Sequence, residues 1–514
     1  MKSDPINDFQ DYVQGYVLIP FLVAARKINI FQHLQKCPAS LSELATLCQA
    51  KDGILQVVLQ VLESLKLVRQ VSGVFELQQN PELVMQIDHI PINILETYQI
   101  DMHEYMQIDG IDDYNIWIQK IQNISDSEHV DLSIKNYLEG VIIVPFLVHI
   151  AQAKQQNYIE STADSINVTK LSDRFINDMS LIFNSKNWGV LECNAEVQFI
   201  KLTKTGQWFL DHAMSYGVAA SYRKMLFHLT DLLMGQQQQI FESNNGIEGH
   251  VDRTLNVQGS GSMHSGFFEA MTKQIANLFQ NQNFACQPLY VIDTGCGDGS
   301  LLTKIYKTIQ LTHRGPNLNA WPVKMIGIDF NKAALEETIK TMEKEEIPFL
   351  VDFGDIGDPQ GIHDTLKQRE IDCSKAVHIR SFLDHDRPFI QPNHSYSFSP
   401  KGYCGIFTTT DGRLISTGDF LQNLEDHFHR WADAIEIGGH LVTLEVHSMP
   451  PSEAYKYRFE SISLYFDPIQ FVSGQLLTTV RQYHLAAAVN GFFPAINPQS
   501  LILFPKKREF HRIS

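Results

Sequence analysis

The chain has 514 residues, 44% of them hydrophobic and 19% charged, and a formal net charge of −17. That length predicts more than one domain, and the acidic balance argues against a nucleic-acid partner. The 7 cysteines form no Cys-x-x-Cys pair, no run of about 18 apolar residues appears, and the start Met1-Lys-Ser-Asp-Pro-Ile lacks a signal peptide's apolar region, so the expectation is a cytoplasmic protein with reduced thiols and no membrane partner.

The first half carries an internal repeat. Tyr12-Val-Gln-Gly15 with Pro20-Phe-Leu-Val23 recurs as Tyr137-Leu-Glu-Gly140 with Pro145-Phe-Leu-Val148, an offset of 125 residues (137 − 12). The same offset carries Leu77 onto Leu202, which predicts two related units over 1–125 and 126–240. In the first, Leu41–Cys48 and Gly53–Leu65 have helix-turn-helix spacing, and Ser40 with Glu43 reads as a capping box. Leu67–Gln70 and Val74–Leu77 flank Ser72-Gly73, a hairpin signal. The unit resembles the winged-helix segment that precedes many small-molecule O-methyltransferases. Helix-turn-helix units also read DNA, but Gly53–Leu65 has no lysine or arginine to meet phosphates.

A junction is expected over 241–286. Gly246 to Gly266 is glycine-rich and polar and reads as irregular, with His250, Asp252, Arg253 and His264 gathered ahead of a helix from Phe267 to Phe279. That concentration of chemistry predicts a cover over a bound cofactor rather than a passive linker.

The last region, 287–514, alternates apolar runs with helical patterns. Leu289-Tyr-Val-Ile292 leads into Asp293, then Gly295, Gly297 and Gly299 alternate, and Leu301–Ile309 has helical spacing: strand, glycine turn, helix. The next strand, Met325–Asp329, ends in an acid 30 residues after the last glycine (329 − 299), whereas a dinucleotide fingerprint would place it about 20 residues on. Acid, Gly-x-Gly-x-Gly and second acid together resemble motif I of class I S-adenosylmethionine (SAM) methyltransferases. The resemblance implies that Asp329 holds the ribose hydroxyls and that Asp355 and Ile356 meet the adenine. It adds Asp293, Phe330, Arg380 and Arg253 to the cofactor-binding set. Ala376–His385 reads as strand four and its turn, Gly438–His447 as a Gly-Gly turn and strand five, and Gly491–Phe493 with Ser500–Phe504 as a closing hairpin. The expected fold is therefore α/β: a Rossmann-like, class I SAM-methyltransferase sheet of seven strands behind a mainly helical region of two winged-helix-like repeats.

Ligand crevices in such sheets lie at the carboxyl ends of the strands. Asp384, His385 and His447 fall there and are the candidate catalytic residues, a histidine serving as base or as metal ligand. Glu445 is placed to join His447, while His427 and His429 project apart on a predicted helix. His378–Pro388, Gly249–Asn256 and the doubled N-terminal unit further resemble the metal-dependent C-methyltransferase domains of polyketide-synthase loading modules, of the apratoxin starter-unit type. That resemblance implies iron or manganese held by His447 and Gln482, with Gln475 and His484 as rivals for the second ligand. It implies methylation of the α-carbon of a malonyl, methylmalonyl or related thioester on an acyl carrier protein, beside neighbouring synthase domains. The alternative is a small-molecule O-methyltransferase with His385 as base. A regulatory protein without catalysis is the third reading, against which stands the intact set of Asp293, Gly297, Asp329 and Asp355.

Overall fold

The computed structural model describes residues 5–78, 87–108, 114–125, 132–194, 197–242, 248–394, 402–435 and 439–493. Two long helices, Pro5–Lys27 and Leu132–Gln155, form the centre of the N-terminal half, each with an internal proline, Pro20 and Pro145. They cross where the repeated motif places a glycine. A Cβ on Gly15 would lie 2.2 Å from the Tyr137 backbone, and one on Gly140 would lie 2.1 Å from the Tyr12 carbonyl oxygen. Only a residue without a side chain permits that approach. The crossing is tied by Asn136 Nδ2 donating to Asp11 (2.9 Å) and the Tyr137 hydroxyl donating to Gln14 (2.9 Å). Each half of the motif is followed by a three-stranded antiparallel wing: Ala39–Ser40, Val68–Val71 and Val74–Leu77, then Ser165–Asn167, Gly189–Asn194 and Val197–Leu202. In both wings the last strand is the central one. Leu41–Cys48 and Asp52–Ser64 are helices, and the capping box is formed: the Glu43 amide donates to Ser40 Oγ, and Glu43 accepts from the Ser40 amide.

One of these helices bears on the expectation of no membrane span. Ser133–Gln155 is long and apolar enough to cross a membrane, with a mean hydropathy of 1.4, although scattered charges interrupt its apolar run. Of its most apolar window, 83% is buried inside the protein, as suits a helix that is apolar all round and packed on another.

Five parallel strands build the C-terminal sheet: Tyr290–Thr294, Lys324–Asp329, Phe349–Phe353, Ala376–Ser381 and His440–Leu444. Their spatial order is third, second, first, fourth, fifth. Alternate residues supply the two faces. Val291, Met325 and Ile379 pack on Leu302 and Ile305 of the helix Ser300–Ile309, whereas Ile292, Ile326 and Ile328 pack on Ile362 and Trp431 from the helices Pro359–Gln368 and Thr417–Ile435. The strand order reverses between the first and fourth strands, which opens a crevice at their carboxyl ends. Seven strands were expected; the described residues hold five. Gly491 ends a helix, Val480–Val489, in a turn at φ +84°, and Ser500–Phe504 lies outside the described residues.

The junction is also different from its reading. Residues from Arg253 to Asn277 are one helix of 25 residues, not a loop followed by a short helix. Asp252 caps it, its carboxylate accepting from the Leu255 amide at 3.0 Å. Gly259 packs against the backbone of Gly217, so the small residues serve a close helix contact rather than a turn.

Candidate active site

The glycine turn is built as its spacing requires. Gly295, Gly297 and Gly299 have φ of +81°, +56° and +77°, a region L side chains avoid. The Gly295 amide donates to the Ile328 carbonyl at 2.7 Å, and the Gly297 amide donates to Asp329 at 3.1 Å, which fastens the first strand's turn to the end of the second. Asp329 also accepts from the Asn331 amide at 2.9 Å. Each of its oxygens thus holds one backbone donor and keeps acceptor capacity for another. Burial raises the pKa of Asp329, against the pull of those backbone donors.

Asp293 is buried under the turn with Oδ1 unpartnered. Burial first, and then the nearby Asp329, push its pKa well above the usual carboxylate range. A buried, orphaned carboxylate oxygen beside a turn with open space at Gly297 suits a cofactor that brings its own donors. Phe330 (66% exposed) and Phe353 (57% exposed) flank the ends of the second and third strands as bare aromatic faces. Asp355 lies beyond the third strand, where its side chain accepts from the Gly357 amide at 2.7 Å. Ile356 is buried with Ile328 and Ile362 in the core beneath the sheet. Phe353, which the sequence reading passed over, is the exposed apolar side chain there.

Two of the expected cofactor ligands are occupied elsewhere. Arg380 is 1% exposed, sits 4.5 Å over the Trp431 ring and pairs with Asp384 at 3.2 Å. Arg253 is held by Glu248 through two bonds of 2.6 Å. Asp384 is likewise no free catalytic acid. Its carboxylate accepts from His427 (3.2 Å) and the Tyr483 hydroxyl besides facing Arg380. Burial alone would raise its pKa, but Arg380, His427 and Tyr483 hold it below the usual range. His427, which the sequence set apart from His429 on a predicted helix, is a wholly buried member of this network, while His429 is exposed.

His385 is different. Its Nδ1–H donates to Glu445 at 2.6 Å, and its backbone amide donates to the same carboxylate at 3.1 Å. Burial would lower the imidazole pKa, but Glu445, with Asp386 and Asp384 behind it, outweighs it and the net shift is upward. Glu445 was placed beside His447 by strand alternation; the strand ends at Leu444, and the carboxylate turns to His385 instead. His447 Nδ1–H faces the Thr478 carbonyl at 3.3 Å, and its ring meets Tyr483 edge-on.

The C-terminal region, residues 248–514, matches the family model described as the AprA MT2-like domain. The chain belongs to this family. It is a SAM-dependent methyltransferase. Residues 139–236 match the AprA winged helix domain, and residues 7–70 match the AprA N-terminal domain. No curated protein matches. Among solved structures, human N-acetylserotonin methyltransferase in complex with SAM aligns at 13% identity and a TM-score of 0.41, covering 71% of this chain and 94% of that one. An O-methyltransferase family 2 protein from Planctomyces limnophilus, in complex with apigenin, aligns at 11% and 0.34, covering 95% and 90%. The DszA carbon methyltransferase aligns at 10% and 0.31, covering 68% and 82%.

In this AprA MT2-like chain the metal expectation rests on His447 with Gln482, Gln475 or His484. Among the described residues, no three His, Cys, Asp or Glu side chains converge as ligands. His447 keeps one ring nitrogen for a cation, Gln482 is buried, and Glu445 is committed to His385. Gln475 gives its Nε2–H to the Tyr222 hydroxyl at 3.3 Å and leaves its Oε1 buried without a partner, while His484 is exposed.

Proposed function

We propose that this methyltransferase transfers the SAM methyl to the α-carbon of an acyl thioester carried by an acyl carrier protein, with His385 as general base and Glu445 holding it. The observation that carries the reading is the 2.6 Å pair between His385 and Glu445 at the carboxyl ends of the fourth and fifth strands. Because the Nδ1–H is given to the carboxylate, Nε2 carries the lone pair. Nε2 takes the α-proton, and the resulting carbanion equivalent attacks the methyl group. The new C–C bond forms as the methyl–sulfur bond breaks, its electron pair returns to sulfur, and S-adenosylhomocysteine leaves. Glu445 stabilises the imidazolium formed in the first step. The AprA-type matches along the chain support a polyketide-synthase context and hence a carrier-bound acyl group.

The test is mass spectrometry of acyl-carrier thioesters after incubation with SAM, with the new methyl located on carbon or oxygen by fragmentation. The wild type should add methyl to carbon. His385→Ala should lose about 10²- to 10⁴-fold in rate, the range for a positioned general base. A chelator should leave the rate unchanged; loss of activity on chelation would return a metal role to His447. Methyl found on oxygen of a free small molecule would promote the O-methyltransferase alternative, for which the same base serves.

A further inference from the structure

Removing a proton from the carbon next to a thioester sends negative charge to the thioester oxygen. A group must donate to that oxygen as the charge develops, and in a water-poor crevice such a donor is among the largest contributors to rate. The obvious donors around His385 are committed. Arg380 is sealed against Trp431 and Asp384, Arg253 is turned to Glu248, and His447 gives its Nδ1–H to Thr478.

His264 is not committed. It lies on the long helix Arg253–Asn277, and its ring nitrogens bond no other described residue, yet neither is sealed from solvent. The ring is held flat against Phe382, with centroids 3.9 Å apart and planes 22° apart. Phe382 directly follows the fourth strand and has φ +53°, a left-handed conformation rare for a bulky aromatic. Such strain persists where the surroundings over-determine it and gathers at functional sites. Here the Phe382 amide donates to Leu444 at 2.7 Å, which pins the turn that also carries His385 three residues on. Burial, and then the charge of nearby His385, lower the His264 pKa to about 4, so at neutral pH the ring is uncharged and offers one N–H.

Resting on the carrier-thioester reading above, we propose that His264 is a second catalytic residue, donating a hydrogen bond to the thioester oxygen of the substrate while His385 removes the α-proton. A neutral imidazole in that role polarises the carbonyl without competing for the proton, and the stack on Phe382 fixes its plane.

The experiment is α-proton exchange into D2O, with a methylmalonyl thioester of an acyl carrier protein and S-adenosylhomocysteine in place of SAM, alongside steady-state methyl transfer. His264→Phe keeps the stack and removes the donor; His264→Gln restores a donor. The first should lower exchange above background, and kcat, by about 10²- to 10³-fold, the effect of deleting one such donor, with SAM affinity unchanged. The second should recover part of both. Wild-type exchange and kcat in His264→Phe would overturn the assignment and leave the carrier-thioester reading standing. A wild-type enzyme that neither exchanges nor methylates the thioester would overturn that reading, and the role of His264 with it.

Discussion

Two histidine–carboxylate pairs sit at the same end of the sheet and have opposite fates. In Asp384–His427 the imidazole is wholly buried and burial lowers its pKa to about 4, even with the carboxylate beside it. Arg380 pairs with the same carboxylate, and Arg387 donates to the Asp384 backbone carbonyl beside it. In Glu445–His385 no guanidinium among the described residues forms an ion pair with the carboxylate, and the imidazole pKa moves up. The chemistry of the pair is the same. What differs is whether a cation has already claimed the carboxylate. The first pair locks the fourth strand to the helices Thr417–Ile435 and Val480–Val489; the second is left free to accept a proton.

That contrast can be broken at its structural end first. Asp384→Ala leaves Arg380 buried without its partner, and breaking a buried ion pair from one side costs about 3–5 kcal/mol. Denaturant unfolding should show a loss of that size. A loss under about 1 kcal/mol would mean that the network relaxes and is not the lock described here. A smaller effect is expected at the cofactor turn. Asp329→Ala should weaken SAM binding by about 1–3 kcal/mol, the cost of removing a hydrogen-bonding carboxylate from a partly buried site. Calorimetry with unchanged SAM affinity would remove Asp329 from the cofactor site.

The same contrast explains what the sequence could and could not tell. The glycine turn was legible because every step is local: an apolar run, an acid, and glycines at positions that take positive φ. The sheet was legible for the five strands described because each is a short apolar run ending in a recognisable turn. The His385–Glu445 pair was not, since it joins residues 60 apart through the parallel register that sets Ser381 beside Leu444. Alternation predicted Glu445 alongside His447, but alternation lapses where the strand stops. Arg380 looked available because a sequence does not show which strand residue will meet Trp431. The junction failed for another reason: its glycines read as a loop, and the Asp252 cap and packing on Gly217 overrode that weak helix propensity.

The most direct test of the central claim, that Glu445 tunes His385 as the base, is kcat/KM against pH for the wild type and Glu445→Gln. A base must be unprotonated, so the wild-type rate should fall as pH drops through a pKa above the ordinary imidazole value of 6.5. The pair's contribution to stability has the opposite sense: a raised histidine pKa stabilises fully below the unfolded value and is lost as pH rises through the folded one. Without the carboxylate, burial dominates and the pKa drops. The acid limb of Glu445→Gln should therefore shift to lower pH, with a reduced plateau from a weaker base. Superimposable profiles for the two enzymes would contradict the account.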